Sequence, residues 1–301
     1  MIALRLNGAM LGAGDAPKPQ PGPVELLIRV RAAGVTSAEL TWYPTSHRRS
    51  GEPRSAAIPA HEFSGVVEAL GENVGALELG REVYGMNDWY AEGALAEFCV
   101  APFSCVAPKP PNLTFVEAAA VPIGALTAWQ GLFDRARLQP GERVLVHGGA
   151  GAVGVFAIQL AAMHGARVVA TASAHNLEFC ASLGATQVLD RSRDPIERVV
   201  EPVDVVFDTV GGDTLDRSWS LLKPSGRVVT IVSPEPDAET RVKEAFFVVE
   251  PNQRQLSLVA AMLESGRLRT VVDTVIPLAD APRAYSGNLP RNHRGRLVVS
   301  L

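Results

Sequence analysis

The segment of this sequence best equipped for chemistry is RVLVHGGAGAVG, residues 143–154, where Gly149, Gly151 and Gly154 stand in the spacing G-x-G-x-x-G. An apolar strand-like run precedes the glycines and an apolar helical run follows, and that context gives the spacing its meaning. Gly149 would permit the tight turn, Gly151 would let the main chain approach a pyrophosphate, and Gly154 would let helix pack closely on strand. Free amides at the helix start, around Ala152 and Val153, would then meet the phosphate charge. A plain packing turn is the alternative. About 20 residues on, at the end of a second strand, an NAD site would carry an acid for the ribose 2′-hydroxyl. The segment ATASAHN, residues 170–176, carries none, and the first carboxylate is Glu178. Ser173, His175 and Asn176 would offer a 2′-phosphate donors rather than repulsion, so NADP is favoured. Arg191, after a third strand, could add charge or simply be a solvated surface residue.

The elements that must position these groups follow from length and rhythm. With 301 residues, the chain is long enough for two domains at about 150 residues each. Its 47% hydrophobic and 20% charged residues are those of a globular protein and exclude a disordered one. A net charge of −4 gives no cationic field for gripping nucleic acid. Cys99, Cys105 and Cys180 form no C-x-x-C pair and no disulfide framework, which suits a reducing cytoplasm. No export leader or membrane-spanning run is expected.

Residues 24–35 (VELLIRVRAAGV) alternate apolar and charged side chains, as a strand with one wet face does. Short apolar runs recur at 63–70, 82–85 and 94–101, punctuated by glycine, and suggest a small β-barrel or sandwich. The proline-rich stretch 107–112 (APKPPN) reads as a connector between domains. Beyond it, strands at 143–147, 167–171, 187–189, 203–208 and 226–232 alternate with helices at 153–164, 176–183, 214–222 and 253–265, the pattern of a parallel sheet. Runs such as VDVVF and RVVTIV suit strands covered on both faces. The tail, RGRLVVSL, would pair with the first domain. The expected division is residues 1–113 with 270–301, and 114–269.

Several stretches then form a recognisable series: AAGVTSAEL (32–40), IPAHEFSGVVEALGENV (58–74), GALAEFCVAP (93–102) and AAAVPIGALTAWQGLF (118–133), followed by the glycine turn. After it come LGATQVLD (183–190), VFDTVGG (206–212), LKPSGRVVTI (222–231) and GRLVVSL. In this order they resemble the medium-chain dehydrogenase/reductase superfamily, in its zinc-independent, quinone oxidoreductase-like branch. The resemblance covers nearly the full length. It implies an α/β fold, with a Rossmann doubly wound parallel sheet plus a GroES-like β-barrel domain, an active site in the cleft between them, and a homodimer.

The same resemblance implies site residues. It brings Thr36, Trp42, Tyr43, His61 and Trp89 near the substrate and Thr127 near the nicotinamide. Phe246, Phe247 and Val248 match the stretch whose main chain meets the carboxamide, with an apolar core strand as the alternative. Val210 and Ser233 end strands at the cofactor edge. Zinc-dependent relatives carry thiolates where this chain has Thr36 and, approximately, Ile123, while His61 and Glu62 keep a His-Glu pair. Isoleucine has no lone pair to give, so no metal is expected. Without a Lewis acid, the acceptor would be a small-molecule quinone or conjugated enone, which spreads the incoming charge. Tyr43 would donate the proton, with water as the alternative. A zinc-containing alcohol dehydrogenase and a non-catalytic NADPH-binding protein are the rival readings.

Overall fold

The change of rhythm along the sequence corresponds to two units of different architecture in the computed structural model, which describes residues 1–8, 10–75, 77–287 and 289–301. Unit 1 comprises Met1–Ile123, Glu250–Asn292 and Arg296–Leu301, and unit 2 comprises Gly124–Val249 and His293–Gly295.

In unit 1, β1 (Ile2–Asn7) and β2 (Met10–Asp15) form an antiparallel hairpin of their own. Periodicity does not announce this hairpin, because only Ala3 and Leu4 of its residues are buried. β3 (Glu25–Val35), β4 (Glu62–Leu70), β5 (Glu82–Met86), β6 (Phe98–Pro102) and β7 (Val106–Pro108) follow. β3 pairs antiparallel with β4 along one edge and with β6 along part of the other. Leu26, Ile28 and Val30 enter a core with Phe63, Leu95 and Val299. The expected wet face of β3 shrinks to Arg29 and Arg31, the two exposed residues of the strand. Its Ala32 is covered by Ala119 and Ala120, which end the helix Phe115–Ala119.

Unit 2 holds β8 (Arg143–Val146), β9 (Arg167–Ala172), β10 (Gln187–Asp190), β11 (Val203–Asp208) and β12 (Leu222–Thr230) in one parallel sheet, ordered β10-β9-β8-β11-β12. The chain builds outward from β8 to β10, then returns to the other side of β8 with β11. That reversal opens a crevice at the carboxyl ends of β8 and β11, where ligands bind in open α/β sheets. Helix Gly154–Met163 joins β8 to β9 and is buried from residue 154 to 161. Val205, Val206 and Phe207 of β11 are wholly buried, the condition of a strand covered on both faces.

The chain re-enters unit 1 at Glu250 and there adds β13 (Val272–Pro277) and β14 (Arg296–Ser300), with β14 parallel to β13 and antiparallel to β3. The tail therefore joins the first sheet, as its apolar run implied. The domain boundaries differ from the expected 113/114 and 269/270. Residues 114–123 and 250–269 pack in unit 1, and 293–295 pack in unit 2. Thr114 and Glu117 cap the helix Phe115–Ala119 reciprocally, Glu117 N–H donating to Thr114 Oγ1 and Thr114 N–H to Glu117 Oε2. Helix Gln253–Glu264 is tied down by the Tyr84 hydroxyl, which donates to Leu256 O at 2.6 Å, and by Asn112 Nδ2, which donates to Leu263 O at 3.1 Å. The proline-rich stretch is no linker either, since β7 pairs with β5. Periodicity locates elements but not the surface onto which their apolar faces pack.

Candidate active site

The glycine turn lies at the carboxyl end of β8, and its glycines divide the work differently from the expectation. Gly148, not Gly149, holds the left-handed conformation, at φ +73°. A Cβ on Gly149 would instead meet Ile158 Cδ1 at 2.9 Å and Ala170 Cβ at 3.1 Å, so this residue lets helix and strand close up. A Cβ on Gly154 would lie 2.2 Å from Gly148 O, which makes it the closest contact of the turn. A Cβ on Gly151 would meet only Gly148 O among the described residues, at 3.3 Å, while its main chain is already engaged, the N–H donating to Gly148 O at 2.9 Å and the C=O accepting from Val155 N–H at 3.1 Å. Such a turn fits a pyrophosphate at the helix start. Beneath it, His147 is buried between Thr171 Oγ1 (3.1 Å) and Ser218 Oγ (2.8 Å). Burial lowers its pKa from 6.5 to about 4, so the ring is neutral.

At the end of β9, Ser173 is half-buried and His175 exposed, whereas Asn176 is buried. The Asn176 amide is already committed: Nδ2 donates to Ser173 Oγ at 3.2 Å, and Oδ1 accepts from Arg294 Nε at 2.6 Å. Asn176 thus differs from the expected direct phosphate donor and positions its neighbours instead. Arg191 is exposed just after β10. On the other side of β8, Asp208 Oδ1 and Oδ2 accept from the N–H groups of Val210 and Gly211, and Oδ2 also accepts from Thr230 Oγ1 at 2.7 Å. This folds the chain sharply after β11 and leaves Val210 42% exposed at the edge. Ser233 follows the end of β12. Phe246 bridges to Thr230 in parallel, Phe247 is buried and Val248 exposed, an extended segment continuing the sheet. Thr127 is buried on the helix Pro122–Trp129.

In unit 1 the structure assembles a polar network around His61. Glu39, wholly buried, accepts from Ala60 N–H (3.0 Å) and Tyr285 Oη (2.6 Å), and pairs with His61 Nδ1 (2.9 Å). Burial, then Glu39, push the Tyr285 phenol well above its ordinary range, so it stays a donor. His61 Nδ1 faces the Glu39 carboxyl group, which leaves Nε2 as the ring's other polar atom. That atom is buried and unpartnered. Beside it, Glu62 forms an ion pair with Arg296 and accepts the Ile123 N–H at 2.8 Å. Arg296 Nη1 donates to Thr36 Oγ1 at 3.1 Å, while Nη2 is buried without a partner. Orphaned buried polar atoms cost about 1–3 kcal/mol each, which marks this network as more than packing.

Aromatic rings adjoin the network. Trp89 lies 5.2 Å from the His61 ring and 5.0 Å from Trp42, edge to face. Tyr43 is 54% exposed and stacks on His47, with ring centroids 4.2 Å apart.

The alcohol dehydrogenase GroES-like domain model matches residues 22–111, and the zinc-binding dehydrogenase model matches residues 183–299. The chain is 31% identical, over 94% of its length, to the probable zinc-binding oxidoreductase, mitochondrial, of Arthroderma benhamiae, of which 92% is covered. It is 33% identical, over 91% of its length, to the NADPH-dependent alkenal/one oxidoreductase, chloroplastic, of Arabidopsis thaliana, of which 72% is covered. Among solved structures, the quinone oxidoreductase from Coxiella burnetii matches with TM-score 0.88 and 28% identity, covering 100% of this chain and 99% of that one. The chain belongs to the medium-chain dehydrogenase/reductase superfamily, in its quinone oxidoreductase-like branch.

As an oxidoreductase of this superfamily, it uses a nicotinamide cofactor and a GroES-like domain. Its donor set does not fit the zinc some relatives are named for. The Thr36 hydroxyl is occupied by Arg296, Ile123 presents a hydrocarbon side chain, and Glu62 is committed to Arg296 and the Ile123 amide. Cys99, Cys105 and Cys180 are buried free thiols. Among the described residues, no three His, Cys, Asp or Glu side chains gather where a metal could sit. Three residues of the network escaped sequence reasoning: Glu39, Tyr285 and Arg296. Each is separated from His61 by 22 or more positions, and the only signal was a carboxylate in AAGVTSAEL beside a histidine in IPAHEF.

Proposed function

We propose that this protein is an NADPH-dependent reductase that passes hydride, without a metal, to a quinone or an α,β-unsaturated carbonyl compound. The observation that carries this reading is the side-chain set around His61, which holds one unpartnered imidazole nitrogen and, among the described residues, no gathering of three His, Cys, Asp or Glu side chains. An isolated ketone concentrates charge on one oxygen and calls for a Lewis acid or a strong proton donor. A conjugated acceptor spreads that charge through its π system. The bound dinucleotide would supply hydride from the nicotinamide C4. The turn of Gly149, Gly151, Ala152, Val153 and Gly154 holds its pyrophosphate, Ser173 and His175, positioned by Asn176, form the 2′-phosphate end, and Thr127, Val210, Ser233 and the main chain of 246–248 flank the ring. Trp42 and Trp89 give the acceptor an apolar surface beside His61, the Thr36 O–H orients its oxygen, and the Tyr43 hydroxyl, or water, delivers the proton that completes reduction. The name of the Arabidopsis relative supports both the phosphorylated cofactor and the conjugated acceptor.

A homodimer in a reducing cytoplasm belongs to the same reading. Among the described residues, no helix is long and apolar enough to cross a membrane. The test is NADPH and NADH oxidation against quinones, enones and simple aldehydes, with and without chelator. Chelator-insensitive NADPH turnover with quinones or enones is the expected result. Stoichiometric zinc with chelator-sensitive turnover would establish the alcohol dehydrogenase reading, and tight dinucleotide binding without turnover would establish a binding protein.

A further inference from the structure

The three residues His293–Gly295 leave the segments of unit 1 on either side and pack in unit 2. Gly295 N–H donates to Ala150 O at 2.8 Å, and Gly295 bridges in parallel to Gly151, so this short strap is anchored on the glycine turn. His293 adopts φ +54°, a left-handed conformation uncommon among non-glycine residues. The strap carries Arg294 to the end of β9. There Nε donates to Asn176 Oδ1 at 2.6 Å, Nη2 donates to His175 O at 2.8 Å, and the guanidinium stands 5.0 Å from the Phe179 ring centroid. The side chain is held at three points, yet Nη1 has no hydrogen-bond partner among the described residues. Asn176 ties this cation to Ser173 Oγ, and the His175 ring approaches the same hydroxyl at 3.5 Å.

We infer that Arg294, not Arg191, is the cation that selects the 2′-phosphate of NADPH. This rests on the proposed NADPH dependence and names the residue that enforces it. A guanidinium fixed by two hydrogen bonds and an aromatic face loses little freedom when a phosphate arrives. Its remaining N–H groups suit phosphate oxygens, which carry nearly two charges at neutral pH. Arg191, solvated and exposed, has no such preorganisation. Ser173 Oγ and the His175 ring complete a pocket that contains a fixed positive charge where an NAD site would contain a fixed negative one.

The experiment is calorimetric titration of the full chain with NADPH, NADH, 2′,5′-ADP and 5′-AMP, for the wild type, Arg294→Ala, Arg294→Gln, Arg294→Lys and Arg191→Ala. The expected result is a loss of about 10- to 100-fold in NADPH and 2′,5′-ADP affinity for the alanine and glutamine variants. NADH and 5′-AMP should stay within about twofold, lysine should restore part of the loss, and Arg191→Ala should lose less than Arg294→Ala. Arg294→Gln retains a donor for His175 O and guards against collapse of the strap. Equal losses for both nucleotides would reduce Arg294 to a structural strut and overturn the inference. So would a wild-type NADPH preference that survives in every Arg294 variant. A wild type that binds NADH as tightly as NADPH would overturn the cofactor assignment, and Arg294 with it.

Discussion

Replacing Arg296 with methionine tests the floor of the candidate site directly. Glu62 is wholly buried, and Arg296 is 6% exposed. They form an ion pair, supplemented by the Ile123 N–H to Glu62 and by Arg296 Nη1 to Thr36 Oγ1. Removing the guanidinium strands a carboxylate in a dry interior, which costs about 3–5 kcal/mol, whereas exchanging both partners for apolar residues is close to neutral. Arg296→Met and Glu62→Met should therefore each destabilise unit 1 strongly, and the double variant should be more stable than either. The pH dependence has a definite sign. Burial raises the Glu62 pKa above 4.5 and Arg296 pulls it down, so the variant raises it further. A carboxyl group whose folded pKa exceeds its unfolded one loses stability as pH rises between the two values. The deficit of Arg296→Met relative to wild type should thus be small near pH 4.5 and grow toward pH 8. Urea unfolding followed by tryptophan fluorescence at both ends of that range reads it out. A cost below about 1 kcal/mol, a pH-independent cost, or singles that sum to the double would refute the buried pair.

Two further outcomes follow from unit 2. Because the His147 pKa falls from 6.5 to about 4 on folding, the neutral ring stabilises the unit fully above pH 6.5, and roughly 3 kcal/mol is lost as pH falls through that window. His147→Gln should flatten that part of the urea-midpoint profile, and an unchanged slope would exclude the buried neutral ring. Gly154→Ala forces a Cβ to 2.2 Å from Gly148 O, against 3.3 Å for Gly151→Ala. The first should cost about 1–3 kcal/mol and at least tenfold in dinucleotide affinity, and the second much less stability. Matched unfolding curves and NADPH fluorescence titrations compare them, and equal stability costs would contradict the crowding at Gly154.

What the residue order determined by itself is local and periodic. The nearly uninterrupted apolar run VDVVF suits a strand between two covering layers, so β11 was legible in the residue order, whereas RVVTIV falls on the edge strand β12, of which only Val229 and Thr230 are buried. The glycine spacing identifies a turn that phosphate can approach, because the freedom to lack a Cβ belongs to the residue itself. Assignments of work within that turn were not legible: Gly148 supplies the positive φ, and Gly149 is spared by Ile158 and Ala170 from the next helix and strand. Only tertiary structure could bring Tyr285 to Glu39 across 246 positions, Arg296 to Thr36 across 260, and Arg294 to Asn176 across 118. The physical reason is that a polar side chain carries no periodic signature of its partner. A partner is chosen by burial, where an unpaired charge or hydroxyl is too costly to leave alone, and burial is settled only when distant strands have closed.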